Sequence, residues 1–370
     1  MSEYINVKCH ALKTHLLPKS TILSLNMCED LRSMVDMLLA SDYSADISKL
    51  TRLDAHALER IFGKKLVERY TILKSNSIER YVILKVRHKG FMGSSLWRIY
   101  EEGLWGVEFP PEDLIGLIDV YARRLELQNI IRILRGKFSE ILNEQIQETL
   151  FPLGKLSDID FEVLLRVGKI DDVIEKLKGT IYGDLDEAYK LSRDHKSSLP
   201  MEMQLWATYY GYLINALSRI PKDEFENVKR IIGTEIDATN TFICTASVVY
   251  GYGKDFVKSI IVPFSFKLSV DTFKIAIQAE SPEGLKKLLS PYAKIIDHIA
   301  KGDDMLAQVE LYRYIRREAE RQLLKDSTHA YVISYMLLCE VEFKDLTMMA
   351  LGKQYGLKPE ELKPYLISLS

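Results

Sequence analysis

Leu127–Lys137 reads LQNIIRILRGK, and Phe343–Lys353, 216 positions later (353 − 137), reads FKDLTMMALGK. In the first copy Leu127, Ile130, Ile131 and Leu134 fall at i, i+3, i+4 and i+7, the apolar stripe of an amphipathic helix, with Gln128, Arg132 and Arg135 off it. Gly136 reads as the left-handed stop that ends many helices, and Lys137 as a cation at the negative end of the helix dipole. In the second copy Asp345 stands in the place of Asn129, Leu346 in that of Ile130, and Gly352-Lys353 in that of Gly136-Lys137. Ala238–Ser247, ATNTFICTAS, is a degraded middle copy, with Asn240 in the Asn129 place and no Arg-Gly-Lys.

A second segment also recurs. Phe151–Tyr182 and Val262–Tyr292 share Lys155-Leu156-Ser157 with Lys267-Leu268-Ser269, and Phe161 with Phe273, at an offset of 112 (267 − 155). Ser157 and Ser269 are each expected to cap a helix, with Asp158 and Asp271 complementing the dipole. Pro18-Lys19-Ser20 reads as a more divergent third copy. Long tyrosine-rich helices are expected over 201–220 and 305–324. The unit is therefore about 110 residues, longer than solenoid repeats of roughly 20–50. It divides the chain into 1–150 (longer and divergent), 151–261 and 262–370. Long helical periodicities with few strand signals give an all-α class, in which each apolar stripe must be buried against other helices.

The first unit holds less regular stretches. After Leu17-Pro18 the apolar spacing from Leu23 to Leu39 predicts a helix pair or one helix with a break, ending near Asp42-Tyr43, and Leu58, Ile61, Phe62, Leu66 and Tyr70 mark a further helix. Tyr81–Val86 is open between a short strand and a helix tail. Gly90, Gly93, Ser94 and Ser95 read as a loop, and Pro110-Pro111 followed by Glu112-Asp113 as a helix start.

Fifty Lys+Arg against 52 Asp+Glu leave a net charge of −2, without the basic excess of a general nucleic-acid binder. Cys9, Cys28, Cys244 and Cys339 have no metal-ligand spacing and read as buried, reduced thiols. No leader peptide is expected in MSEYINVKCH, and no apolar run approaches membrane-span length; Ser259–Phe266 is short and carries Pro263. Membrane contact is expected only through partners.

Catalytic constellations are missing. Gly-Lys pairs lack the preceding glycine and following Ser/Thr of a phosphate-binding loop, and Gly251-Tyr252-Gly253 lacks the third glycine of a dinucleotide fingerprint. The seven histidines are scattered and read as surface or packing residues. Asp184, Asp186 and Glu187, like Asp303-Asp304, read as solvated helix starts. No catalytic residue, cofactor or metal is expected. Arg313, Arg317, Arg321 and Lys325 step by four along the 305–324 helix. They are either a solvated face neutralised by Glu310, Glu318 and Glu320 or a stripe that docks an acidic partner. Trp206, Tyr209, Tyr210 and Tyr212 on one helix read as half-buried core, or as an interface.

Asn129-Ile130-x-x-x-Leu134-Arg135-Gly136-Lys137, the threefold repetition and the segment 333–362, ISYMLLCEVEFKDLTMMALGKQYGLKPEEL, together resemble the C subunit of archaeal and bacterial A/V-type rotary ATPases, whose eukaryotic counterpart is the d subunit. The resemblance covers essentially the whole chain. It implies a funnel of three similar helical bundles around a pseudo-threefold axis. Such a subunit is a non-catalytic rotor part at the cytoplasmic face of the membrane, between the central-stalk subunits and the proteolipid ring. A free-standing helical protein-binding scaffold, or an enzyme with a pocket of perturbed polar groups, are the readings it competes with.

Overall fold

Both quoted stretches form the C-terminal halves of long central helices. The computed structural model describes residues 3–88 and 112–369, and every regular element among them is an α-helix or a 3-10 turn. Six helices have 19 residues or more: α1 Ala55–His88, α2 Glu112–Phe138, α3 Leu199–Leu217, α4 Lys222–Tyr250, α5 Asp304–Gln322 and α6 Thr328–Gln354. Shorter helices join them. Tyr81–Val86 belongs to α1, so the helix-tail alternative is the one realised. Gly90, Gly93, Ser94, Ser95 and Pro110-Pro111 lie outside the described residues.

Local chemistry sets the helix starts. Ser327 accepts from Ala330 N at the head of α6, and Asp303 from Leu306 N at the head of α5. Ser269 caps Val270–Ala276 as expected. Ser157 does not cap its helix: its hydroxyl donates to Glu126 at 2.5 Å, and Asp160 caps Phe161–Arg166 instead, accepting from Glu162 N and Val163 N. The helix begins at Phe161, directly after Asp160, while Ser157 lies three residues before Asp160 and accepts from Ile159 N.

Packing follows a repeated plan. α2 lies along α3, α4 along α5, and α6 along α1. After each central helix comes a connection pinned by one side chain. Asn129 donates Nδ2 to Phe151 O (2.9 Å) and accepts Phe151 N (2.8 Å). Asn240 does the same with Val262 O and N (2.9 and 3.0 Å). Asp345, which cannot donate as a carboxylate, accepts from Ile367 N (2.6 Å) and Ser368 N (2.9 Å). Each contact reaches 22 residues along the chain. All three side chains are buried, so every bond lost would leave an unpaired polar group.

The Gly-Lys pairs require a correction. Gly136 lies inside α2 and Gly352 inside α6, and neither has positive φ, so neither is a left-handed stop. Their need is space. A Cβ on Gly136 would collide with Ile146, and one on Gly352 with Leu362, each ten residues on in the short helix that crosses there. Lys137 donates Nζ to Leu165 O and Val167 O, and Lys353 to Asn26 O and Cys28 O. Each lysine thus satisfies the orphan carbonyls at the end of another short helix, Phe161–Arg166 in one case and Lys19–Met27 in the other. The middle helix has Ser247 at the glycine place (136 + 111) and ends at Gly251, whose φ of +77° is the left-handed stop. Gly352→Ala is expected to destabilise the fold by about 1–3 kcal/mol through overpacking. Urea unfolding of the single variant and of Gly352→Ala/Leu362→Ala checks this, with the second substitution recovering part of the loss.

Cys9, Cys244 and Cys339 are buried free thiols and Cys28 is half-buried. Burial pushes Cys9, Cys244 and Cys339 up to about 12, so they stay protonated and inert.

Candidate functional site

Five positions before Asn129, Asn240 and Asp345 stand Arg124, Glu235 and Glu340, and these three meet between α2, α4 and α6. Arg124 Nη2 donates to Glu235 Oε1 at 2.6 Å, and its Nε lies 2.8 Å from Glu340 Oε2. None of the three is more than 1% exposed. Tyr210 donates to Glu235 (3.0 Å), and Tyr312 (2.6 Å) and Gln128 (2.9 Å) donate to Glu340. Arg124 also sits over the Tyr121 ring, 4.5 Å from its centroid. Burial alone would raise the Glu340 carboxyl, but Arg124 and Lys344 outweigh it and hold the group below its usual range. Burial likewise pushes the Lys344 ammonium down, although Glu340 lies 3.8 Å away.

One helical turn onward, Gln128, Thr239 and Lys344 line a cavity of about 250 Å³, with Arg132, Arg135 and Trp206 on its wall. Arg135 pairs with Glu202 at 2.6 Å and remains 55% exposed. Arg132 donates to Thr149 O and lies 3.4 Å from Glu59. The carboxylates here are locked to arginines and tyrosines rather than free to move a proton. Among the described residues no group of His, Cys, Asp and Glu could hold a metal ion.

At the other end, sixteen positions before the same Asn/Asn/Asp set, stand Asp113, Glu224 and His329. His329 Nε2 is 2.9 Å from Asp113 Oδ2, and its Nδ1 is 3.4 Å from Glu224 Oε1. Glu224 also accepts from Thr328 N, His329 N and the Ser327 hydroxyl, capping the first turn of α6 from a neighbouring helix.

A family model described as ATP synthase (C/AC39) subunit matches residues 107–365. The chain belongs to the ATP synthase C/AC39 subunit family. Among curated relatives it is similar to the C subunit of the A-type ATP synthase of Methanosphaera stadtmanae, 25% identical over 268 residues, covering 70% of this chain and 69% of the relative. It is 24% identical to that of Methanococcoides burtonii (98% and 93% covered) and 20% identical to that of Pyrococcus abyssi (97% and 88%). Membership in the C/AC39 family makes the chain a non-catalytic subunit of an ATP synthase. No helix among the described residues is long and apolar enough to cross a membrane.

The basic stripe of this C/AC39 chain is divided. Arg313 bonds Glu310 at 2.7 Å and donates to Pro364 O (2.8 Å) and Leu366 O (2.9 Å), so it clasps the chain's own C-terminal segment. Arg317 is exposed and sits over the Tyr314 ring; Arg321 is exposed beside Glu318 at 3.2 Å; Lys325 is exposed. Tyr209 and Tyr210 are buried, whereas Tyr212 is 43% exposed. The two charge clusters do not stand out in the sequence, where Arg124, Glu235 and Glu340 sit among ordinary charged residues and His329 reads as a packing residue. The signal available was the offset: 111 and 216 positions link Arg124 to Glu235 and Glu340 just as they link Asn129 to Asn240 and Asp345.

Proposed function

We propose that the chain is the rotor piece linking the central stalk to the membrane proteolipid ring of an A/V-type ATP synthase, passing torque between ATP chemistry and ion transport. On this reading its body is a funnel of three similar bundles around a pseudo-threefold axis. The observation that carries it is the triple use of one position set: three central helices pin the following connection by Asn129, Asn240 and Asp345, and bring Arg124, Glu235 and Glu340 to one point. Drawn by contact, the units run 112–217 and 222–322, with a third assembled from 328–369 and 3–88. Divisions after 150 and 261 are the alternative partition of the same chain. A torque-bearing body must not yield, and close-packed helices joined by buried ion pairs meet that need.

The cavity lined by α2, α3, α4 and α5, with Lys344 of α6, is the proposed seat of the stalk, with Arg132 and Arg135 favouring an anionic tip. A wider docking stripe falls to Arg317, Arg321 and Lys325, because Arg313 is occupied internally. Membrane contact is then made through partners at the cytoplasmic face.

The chain is expected to co-purify with a central-stalk subunit and the proteolipid ring from native membranes; recovery only as a free protein would overturn the role. Arg135→Glu is expected to weaken stalk binding by about tenfold, or roughly 1.4 kcal/mol. The melting temperature should also fall somewhat, since Arg135 is the partner of Glu202, whose side chain is only 10% exposed, so the affinity is compared at a temperature where both proteins are folded. Unchanged affinity in a titration against the purified stalk would remove the cavity as the seat.

A further inference from the structure

We propose that Asp113, Glu224 and His329 form a pH-sensitive clasp that ties the N-terminal ends of α2, α4 and α6 together in mildly acidic solution and loosens as the pH rises. The inference depends on the contact among the three helices and not on the rotor role.

The geometry puts one titratable cation between two carboxylates from two other helices. Asp113 lies in the first turn of α2 and Glu224 in the first turn of α4, while His329 is the second residue of α6. Only 2% of His329 is exposed, so water cannot replace either partner. Each carboxylate lies at a helix start, where the dipole favours negative charge. An imidazolium at the start of α6 has the dipole against it, and burial alone would push its pKa down. Glu224 and Asp113 outweigh both effects and hold the imidazole above its ordinary value. Burial would raise Glu224, but its bonds to His329, Ser327 and Thr328 hold it below the usual carboxylate range.

Of the elements near this end, α2 faces the imidazole with Asp113 and α4 with Glu224. On α6's own approach, Lys325 and Asp326 are exposed. Glu3–Lys13, which also packs on α6, turns His10 to Tyr331 Oη at 2.9 Å. Among the described residues, Glu224 and Asp113 are the charged groups that act on the ring.

A histidine whose folded pKa is above its unfolded value of about 6.5 stabilises the fold fully below that value. The contribution vanishes as pH rises through the folded pKa. Glu224, with its folded pKa depressed, keeps its own contribution at neutral pH and loses it only in acid. The clasp is therefore fully closed below about pH 6.5 and opens as the pH rises through the raised folded pKa of His329. When it opens, the neutral imidazole still fills its space, but two carboxylates lose their shared cation.

The test compares the intact chain with His329→Gln and with His10→Gln between about pH 6 and 9. The readouts are the urea midpoint and the hydrogen-exchange protection factors, corrected for intrinsic rate, at the starts of α2, α4 and α6. The wild type and His10→Gln should lose stability and protection across a transition centred above about pH 6.5 that His329→Gln lacks. Glu224→Gln should move that transition to lower pH, by one unit for each tenfold loss of proton affinity. If His329→Gln does not fold, the imidazole resonance of the intact chain, titrated by NMR, reads the same quantity. A ring titrating at or below about 6.5, or identical pH profiles in wild type and His329→Gln, would overturn the clasp.

Discussion

Arg124→Leu is expected to cost about 3–5 kcal/mol of folding stability, read as a lower urea midpoint with an unchanged slope. The substitution removes the cation that, among the described residues, meets both Glu235 and Glu340, at 2.6 and 2.8 Å. Two carboxylates that are at most 1% exposed would then face each other across the core, with Lys344 3.8 Å from one of them. A favourable pair at that depth contributes less than its Coulomb energy suggests, because both charges were desolvated to make it. Breaking it is costly for the same reason: the remaining charges stay buried without a partner. Two companion results separate this account from simple loss of side-chain volume. The Arg124→Leu defect should shrink in acid, where a carboxyl group raised by the lost cation takes up a proton. Adding Glu235→Gln and Glu340→Gln should recover most of the stability, since neutral amides still accept from Tyr210 and Tyr312. A cost under about 1 kcal/mol at neutral pH would mean the triad does not hold the central helices together.

Glu342→Leu should be comparably damaging, by about 3–5 kcal/mol, but with a different signature. Glu342 in α6 accepts from Arg69 of α1 (2.7 Å), the Tyr43 hydroxyl (2.6 Å) and Leu17 N. Arg69 also reaches His15 O at 3.2 Å and Asp42 at 3.3 Å. One carboxylate thus ties Tyr43 and Leu17 to a helix 299 and 325 positions away. Its loss should free this region before the rest unfolds, as local opening of a weakened unit. Limited proteolysis is expected to cut first within residues 14–54, while α2 to α5 remain protected. Cleavage spread evenly over the chain would argue against a third unit built from both ends.

The stripe Leu127, Ile130, Ile131 and Leu134 was legible because helical periodicity reports which side of a helix avoids water. Pairing Asn129 with Asp345 and Asn240 was legible too, and the three side chains hold the same relation to backbone 22 residues onward. The Gly-Lys ending was legible as a recurring motif but not as a mechanism. A glycine near a helix end suits either a left-handed stop or a close crossing, and only the positions of Ile146 and Leu362 choose between them. Likewise Arg313 reads as a free surface cation until the chain's own carbonyls at Pro364 and Leu366 arrive beside it.

The all-helical class, the recurrence over 216 positions and the likeness to a rotary-ATPase subunit all follow from the order of the amino acids, because periodicity and motif spacing are properties of one chain segment at a time. Three further facts exist only once the helices are packed. α6 is completed by α1 from the opposite end of the chain. Arg124 is buried between two glutamates, and His329 stands between Asp113 and Glu224. Whether a charge is solvated or paired depends on what lies a few ångströms away in space, and those neighbours come from helices about a hundred residues apart.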